Sequence, residues 1–201
     1  MPLQNRVDPC GDLFADRARG LMMGNRGGRI HDAQQKLTAR RWASRQWICC
    51  VLDFKNRHRA VFGDGYTEMF FLDEVTALAA GHRPCFECRR KDAERFAALF
   101  STTQERVPAP AMDVVLHAER LDGTAKRLHR REIDTLPDGA MIARGGEALA
   151  LRGGQLLRWT PSGYDEKRRR PRAGEADLLT PPSILAVLKR GYRPLWHPSA
   201  G

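Results

Sequence analysis

Two cysteines separated by two residues are the clearest candidates for chemistry in this sequence. Cys85 and Cys88 stand in the run Gly-His-Arg-Pro-Cys-Phe-Glu-Cys-Arg-Arg, residues 81–90. Two thiolates at this spacing can share one zinc ion, and the preceding glycine and proline restrict the backbone that directs them. The pair therefore predicts zinc as a cofactor and supplies half of a tetrahedral site. Two alternatives stay open, a metal-free structural remnant and redox chemistry of the two thiols.

Helices are predicted on both sides of the cysteine pair. Residues 67–72 are typical of a strand, Asp73 is a suitable helix N-cap, and the helix that follows ends at Gly81. Residues 91–100 carry apolar side chains at helical spacing, which predicts a second helix leaving the pair. Upstream, residues 47–54 and 59–62 are β-prone and predict a hairpin.

The second half of the sequence predicts mainly strands. Residues 107–110 (Val-Pro-Ala-Pro) are the best linker candidate, and a short strand is predicted at residues 114–117. Paired glycines separate three short apolar runs, which is typical of a β meander. These runs are residues 140–143, 148–151 and 156–159. Thr180, Pro181 and Gly191 mark the start and end of a closing helix.

The sequence contains an internal echo of the segment before the cysteines. Residues 75–84 align without a gap to residues 185–194, and each copy reads as a short helix, a glycine, an aromatic ring and Arg-Pro. Leu195 and Pro198 stand in the second copy where Cys85 and Cys88 stand in the first. The two segments therefore share a backbone pattern at the end of a helix and not the cysteines. It reflects either a duplicated element or two ordinary glycine-terminated helices.

Residues 47–92 resemble the zinc-binding domain of the Ada DNA repair protein family. In that family a strand ending in aromatics leads to a short alanine-rich helix and then to Gly-aromatic-Arg-Pro-Cys-x-x-Cys. Here Phe70 and Phe71, the helical run and residues 81–88 supply this pattern. The resemblance implies a zinc site, contact with DNA and a role in DNA repair.

This sequence departs from the family's pattern at the two upstream metal ligands. Carried over without a gap, the family's two other cysteines fall on Phe54 and His58. An imidazole can bind zinc and a phenyl ring cannot. The family's methyl acceptor is one of these upstream cysteines, and neither position keeps a thiol, so the resemblance does not imply methyl transfer.

The predicted metal site therefore needs a further ligand. The proposed set is Cys85, Cys88, His58 and Cys49. Alternation along a strand lets only one of Cys49 and Cys50 face the ion, and His31 and Asp53 are further candidates. If no protein group fills the last position, three ligands and a water would form a Lewis-acid centre.

Composition predicts a polyanionic partner. Lys and Arg number 34 against 24 Asp and Glu, which gives a net charge of +10. A basic protein of this kind favours DNA or RNA through phosphate contacts and counterion release. The candidate phosphate contacts are Arg26, Arg29, Arg83, Arg89 and Arg90.

Catalytic residues are harder to identify. His31 and Asp32 follow a glycine- and arginine-rich turn, and Glu119 would share a strand face with His117. An acid beside a histidine is compatible with acid–base catalysis. These residues keep open an alternative function, a metal-assisted hydrolase of phosphodiesters or nucleotides.

The sequence as a whole predicts an α+β protein, a β-hairpin and helix knuckle module followed by an antiparallel β meander with a C-terminal helix. The expected units are residues 1–106 and 107–201. Five cysteines in 201 residues fit reduced thiols or a metal better than disulfides, and no apolar run suggests a membrane span or secretion signal, so a cytosolic location is expected. The predicted function is zinc-containing nucleic-acid binding, with the hydrolase and a metal-free interaction protein as alternatives.

Overall fold

The structure, a computed structural model, describes residues 1–57, 60–103 and 106–201. About 22% of the chain is helix and 28% strand, which confirms the α+β class and the C-terminal helix. Among the described residues, no helix has the length and apolar character that crossing a membrane requires.

The first sheet has six strands and comes from the N-terminal part of the chain. Its strands are Arg6–Val7 (β1), Leu13–Phe14 (β2), Met22–Arg26 (β3), Trp47–Val51 (β4), Met69–Phe71 (β5) and Arg83–Pro84 (β6). Their spatial order is β2-β1-β5-β3-β4-β6. The glycine- and arginine-rich segment thus supplies β3, a strand in the middle of the sheet.

The predicted hairpin is wrong. β4 pairs with β3 in antiparallel register and with β6 in parallel, and the described residues 60–62 form no strand. Arg59 lies outside the described residues. The sequence correctly predicted a strand at β4. Its partners, β3 and β6, are distant in the sequence, and local turn signals do not predict such pairings.

The described part of the chain contains four α-helices, Glu74–Ala79 (α1), Arg90–Phe100 (α2), Ala109–Arg120 (α3) and Pro182–Lys189 (α4). Asp73 caps α1, since its carboxylate accepts from the Thr76 N–H at 2.9 Å. The strand predicted at residues 114–117 is wrong, because this segment lies within α3. Pro108 and Pro110 mark the first turn of that helix, where proline is well tolerated.

The second sheet confirms the predicted meander. After a short hairpin of Leu121–Asp122 (β7) and Ala125–Lys126 (β8), the chain forms six antiparallel strands in the order β13-β12-β11-β10-β14-β9. These strands are His129–Glu132 (β9), Met141–Arg144 (β10), Glu147–Arg152 (β11), Gln155–Thr160 (β12), Gly163–Arg169 (β13) and Glu175–Leu178 (β14). The meander runs through β10, β11, β12 and β13.

The hydrophobic cores join the two halves of the chain. One buried cluster packs Leu72 and Val75 against Met141 and Ala150 of the second sheet. Another packs Phe96 of α2 against residues of α3 and α4. The strands divide near residue 106, but apolar burial crosses that boundary, so each half contributes to the stability of the other.

The internal echo is a shared helix ending. After α1, the N–H of Gly81 donates to Leu78 O at 2.9 Å and that of His82 to Ala77 O at 2.9 Å. The corresponding bonds after α4 run from Gly191 to Leu188 at 3.0 Å and from Tyr192 to Val187 at 3.2 Å. Both pairs form the Schellman motif, with the glycines at φ +87° and +97°.

The two glycines provide a matched stability test. Gly191→Ala adds a methyl group with open space around it, so left-handed strain alone should cost about 1–2 kcal/mol. Gly81→Ala carries the same strain and also brings the methyl carbon to 2.6 Å from Arg120 Cδ. We expect a total of about 2–5 kcal/mol for Gly81→Ala. Urea unfolding of both variants measures the difference, and equal losses would contradict the close packing at Gly81.

Candidate metal centre and adjoining groove

Three cysteines form a cluster at one side of the first sheet. The sulfur atoms of Cys50, Cys85 and Cys88 all lie within 4.8 Å of one another. Cys50 and Cys85 are buried and Cys88 is half-buried. We call this group the thiol triad. Its separations allow all three sulfurs to bind one ion after a small contraction.

Strand pairing brings the third thiol to the Cys-x-x-Cys pair. β4 lies parallel to β6, with Cys49 opposite Pro84, and the Cys85 N–H donates to Cys49 O at 2.9 Å. Alternation along β4 then directs Cys49 into the core and Cys50 to the other face, where Cys85 and Cys88 lie. The structure thus brings Cys50, and not Cys49, to the pair.

Hydrogen bonds at the triad favour a thiolate on Cys85. The Glu87 N–H points at the Cys85 sulfur at 3.4 Å, as expected of a knuckle that holds an anionic sulfur. Hydrogen bonds from Cys50 and Cys88 lower the pKa of the Cys85 thiol. The same contacts to Cys85 and Cys88 raise the pKa of Cys50.

The donor set of the triad fits a thiophilic ion such as zinc. Thiolate sulfur is a preferred zinc ligand, and three sulfurs leave one tetrahedral position for another donor. No other histidine, cysteine or acid of residues 1–57, 60–103 and 106–201 joins the cluster, and this includes His31 and Asp53. His58 lies outside the described residues, so its role as a ligand stays a prediction.

A buried ion pair fixes the helix that begins after Cys88. Arg89 makes two hydrogen bonds of 2.8 Å to the carboxylate of Glu74 in α1. Tyr192 Oη and the Leu195 N–H donate to the same carboxylate at 2.7 and 2.9 Å. The Cys-x-x-Cys segment is therefore held against α1 and against the second copy of the echo.

Three of the five arginines predicted to contact phosphate are buried. Arg26 is fully buried, and its guanidinium lies 3.9 Å from the centre of the Trp47 ring. Arg83 is 1% exposed and makes two 2.8 Å hydrogen bonds to Asp113. With Arg89 paired to Glu74, only Arg29 and Arg90 of the predicted set are exposed. Net charge alone could not reveal these intramolecular partners.

Each of the predicted catalytic residues hydrogen-bonds to a partner within the protein. His31 is 4% exposed, and its ring nitrogens bond to Thr67 Oγ1 at 2.7 Å and Gly63 O at 2.9 Å. Asp32 accepts from backbone N–H groups of its own turn. Glu119 accepts from the N–H and hydroxyl of Ser183 in the first turn of α4. Each group is occupied by a local partner.

The thiol triad opens into a cavity of about 320 Å³. Two further depressions of about 470 and 530 Å³ adjoin it and share lining residues with it, Cys85 and Ile48 at one end and Phe70 at the other. We call the three together the groove. Aromatic side chains line it along its length, namely Phe54, Tyr66, Phe70 and Phe86.

Sequence reasoning missed the acids that line the groove, Glu68, Glu87 and Asp16. Glu68 is 4% exposed and lines the same cavity as the triad. The only available signal was its position two residues before Phe70 in a β-prone run, which places both on one face of the strand. Phe54, where the resemblance would put a metal ligand, also lines this cavity.

Metal analysis of cysteine variants tests the triad. We expect wild-type protein to hold one zinc per chain, and Cys50→Ser, Cys85→Ser and Cys88→Ser each to lose most of it, since each removes one of three sulfur ligands. Cys10→Ser and Cys49→Ala serve as controls and should retain zinc. Mass spectrometry of metals after desalting measures the ratio. Zinc loss in Cys49→Ala with retention in Cys50→Ser would contradict the assignment.

The Glu74 pair gives a second test, of stability. Glu74→Gln removes the buried ionic partner of Arg89 and leaves it the half-exposed Asp92 at 2.9 Å. We therefore expect a loss in the free energy of unfolding of about 3 kcal/mol, the lower end of the range for a broken buried pair. Glu94→Gln removes an exposed i,i+4 pair with Arg90 and should cost less than about 0.5 kcal/mol. Denaturant unfolding compares the two, and a small loss in Glu74→Gln would show that the pair is not needed for folding.

Comparison with known proteins gives no match to a family model, to a curated protein or to a solved structure. The resemblance of residues 47–92 to the Ada zinc-binding domain stays a prediction from the motif.

Proposed function

We propose that this chain is a zinc-binding protein that contacts nucleic acid along the groove beside the thiol triad. The observation that carries the proposal is the opening of three mutually close sulfurs into a cavity that continues in both directions. A purely structural zinc site is normally closed on all sides by protein ligands. A metal at this triad would lie on the wall of a binding groove.

Positive charge at one end of the groove supports a phosphate partner. Arg6, Arg17 and Arg19 line the depression next to Phe70. Burial, and to a smaller extent the nearby charge of Arg19, lower the pKa of Arg6. Asp16 offsets part of this shift. Exposed arginines in such a setting gain from phosphate contacts and release counterions on binding.

Aromatic lining supports contact with the bases. Tyr66 and Phe86 line the groove on the side of the triad away from the arginines. Bases of single strands stack on such rings, which contributes about 1–3 kcal/mol per base where a ring is accessible. Arg57 is exposed and lines the cavity that holds the triad, where it pairs with Glu87 at 2.7 Å. The groove thus combines phosphate-binding and base-stacking groups.

Salt-dependent binding of a 12-nucleotide DNA strand tests this function. Zinc-loaded wild-type protein should bind the strand with an affinity that falls as salt rises. The double variant Arg17→Gln, Arg19→Gln should bind more weakly and lose ~0.7 of the log–log salt slope for each phosphate contact removed. Fluorescence anisotropy measures both quantities.

A charge-matched control separates local contact from net charge. Arg172→Gln, Arg193→Gln removes the same charge from exposed positions outside the groove and should change binding little. Equal weakening in both double variants would show that net charge alone attracts the strand. No binding by the wild type at low salt would overturn the proposed function.

A further inference from the structure

The floor of the central cavity is one face of the first sheet. Met23 of β3 pairs with Cys50 of β4 on one side and with Phe70 of β5 on the other. Glu68 is two residues before Phe70 and therefore points to the same face. Adjacent strands lie about 4.8 Å apart, so about 10 Å separates the Cys50 strand from the Glu68 strand. This gap is wide enough for a flat heterocyclic ring.

The carboxylate of Glu68 lines this cavity. Its Oε2 accepts from the Phe62 N–H at 2.9 Å, and among residues 1–57, 60–103 and 106–201 no donor reaches Oε1. A side chain only 4% exposed gains from a ligand that donates a hydrogen bond to this oxygen.

Asn25 presents a donor beside that acceptor. Its side-chain oxygen accepts from the Gly27 N–H at 2.9 Å, which leaves the amide N–H groups for another partner. Asn25 is 5% exposed and lines the same cavity. Gly24 of β3 pairs with Met69 of β5, and the residues next to them, Asn25 and Glu68, both line the cavity.

A donor and an acceptor in one cavity, above an apolar floor and beside aromatic rings, match the edge of an unpaired base. Every nucleobase carries a donor and an acceptor side by side on its Watson–Crick edge, and proteins read this edge in single strands. The cavity volume of about 320 Å³ lies within the range of small-ligand pockets. In a duplex the same edge is occupied by the partner base.

We propose that Asn25 and Glu68 form a base-reading site, which binds the Watson–Crick edge of one unpaired nucleobase in the cavity beside the thiol triad. The site rests on the proposed nucleic-acid function and makes it selective for single-stranded or extruded bases. Asn25 donates to a ring acceptor, and Glu68 accepts from a ring or amino N–H. Phe54 and Tyr66 lie on the wall of the same cavity.

The substitution Glu68→Gln tests the site with little risk to the fold. The glutamine oxygen can still accept from the Phe62 N–H, and the amide nitrogen then replaces the free acceptor with a donor. The site would face the base with two donors and no acceptor. Glu132→Gln, at an exposed position on β9, makes the same change in charge and is the matched control.

The probes are a 12-nucleotide oligo(dC) strand and a strand of equal length and charge that has abasic sugars at its six central positions. We expect zinc-loaded wild-type protein to bind oligo(dC) at least tenfold more tightly than the abasic strand. Glu68→Gln should lose most of that ratio, while Glu132→Gln should keep it.

The outcomes distinguish this site from the broader function. Equal binding of both strands by the wild type would overturn the base-reading site and leave the nucleic-acid function intact. An unchanged ratio in Glu68→Gln, confirmed as folded by circular dichroism, would also overturn it. Failure to bind either strand would overturn the proposed function itself.

Discussion

The buried carboxylate of Glu74 is the interaction on which the arrangement of the site depends. It lies at the first turn of α1, where the positive end of the helix dipole favours an acid, and accepts four hydrogen bonds from Arg89, Tyr192 and Leu195. Its neighbour Asp73 caps the same helix and accepts from Tyr164 Oη and the His197 N–H. Two adjacent acids thus join the Cys-x-x-Cys segment, the second sheet and the C-terminal segment. Since a buried charge without its partners is costly, these contacts form together or not at all.

Because side chains alternate along a strand, one face of the first sheet packs in the hydrophobic core and the other face lines the groove. One face carries Cys49, Met69 and Phe71 into the apolar core, and the opposite face carries Cys50 and Met23 to the groove. Neighbouring residues with the same thiol therefore have different roles. The fully buried Cys49 has its pKa raised by desolvation and stays protonated, whereas Cys50 belongs to a group of three sulfurs.

Local signals in the sequence predicted the elements they define. The N-cap at Asp73, the glycine stops after α1 and α4 and the meander from β10 to β12 all follow from a few adjacent residues. Long-range pairing was not predictable in the same way. The apolar run at β4 was read as half of a hairpin, and only its register with β3 and β6 decides that Cys50 rather than Cys49 meets Cys85. Likewise, the sequence predicted Arg83 and Arg89 to be exposed phosphate contacts. Their ionic partners are Asp113 and Glu74, which lie 30 and 15 residues away along the chain, so neighbouring residues did not reveal them.

A direct count of the sulfur atoms around the bound ion tests the central claim that three strand and knuckle cysteines form a metal centre. X-ray absorption at the zinc edge of the loaded protein reports ligand type, number and distance together. We predict three sulfur neighbours at about 2.3 Å and one lighter neighbour, nitrogen or oxygen, at about 2.0–2.1 Å. Two or fewer sulfur neighbours, or an ion bound only by nitrogen and oxygen, would contradict the thiol triad as the metal site.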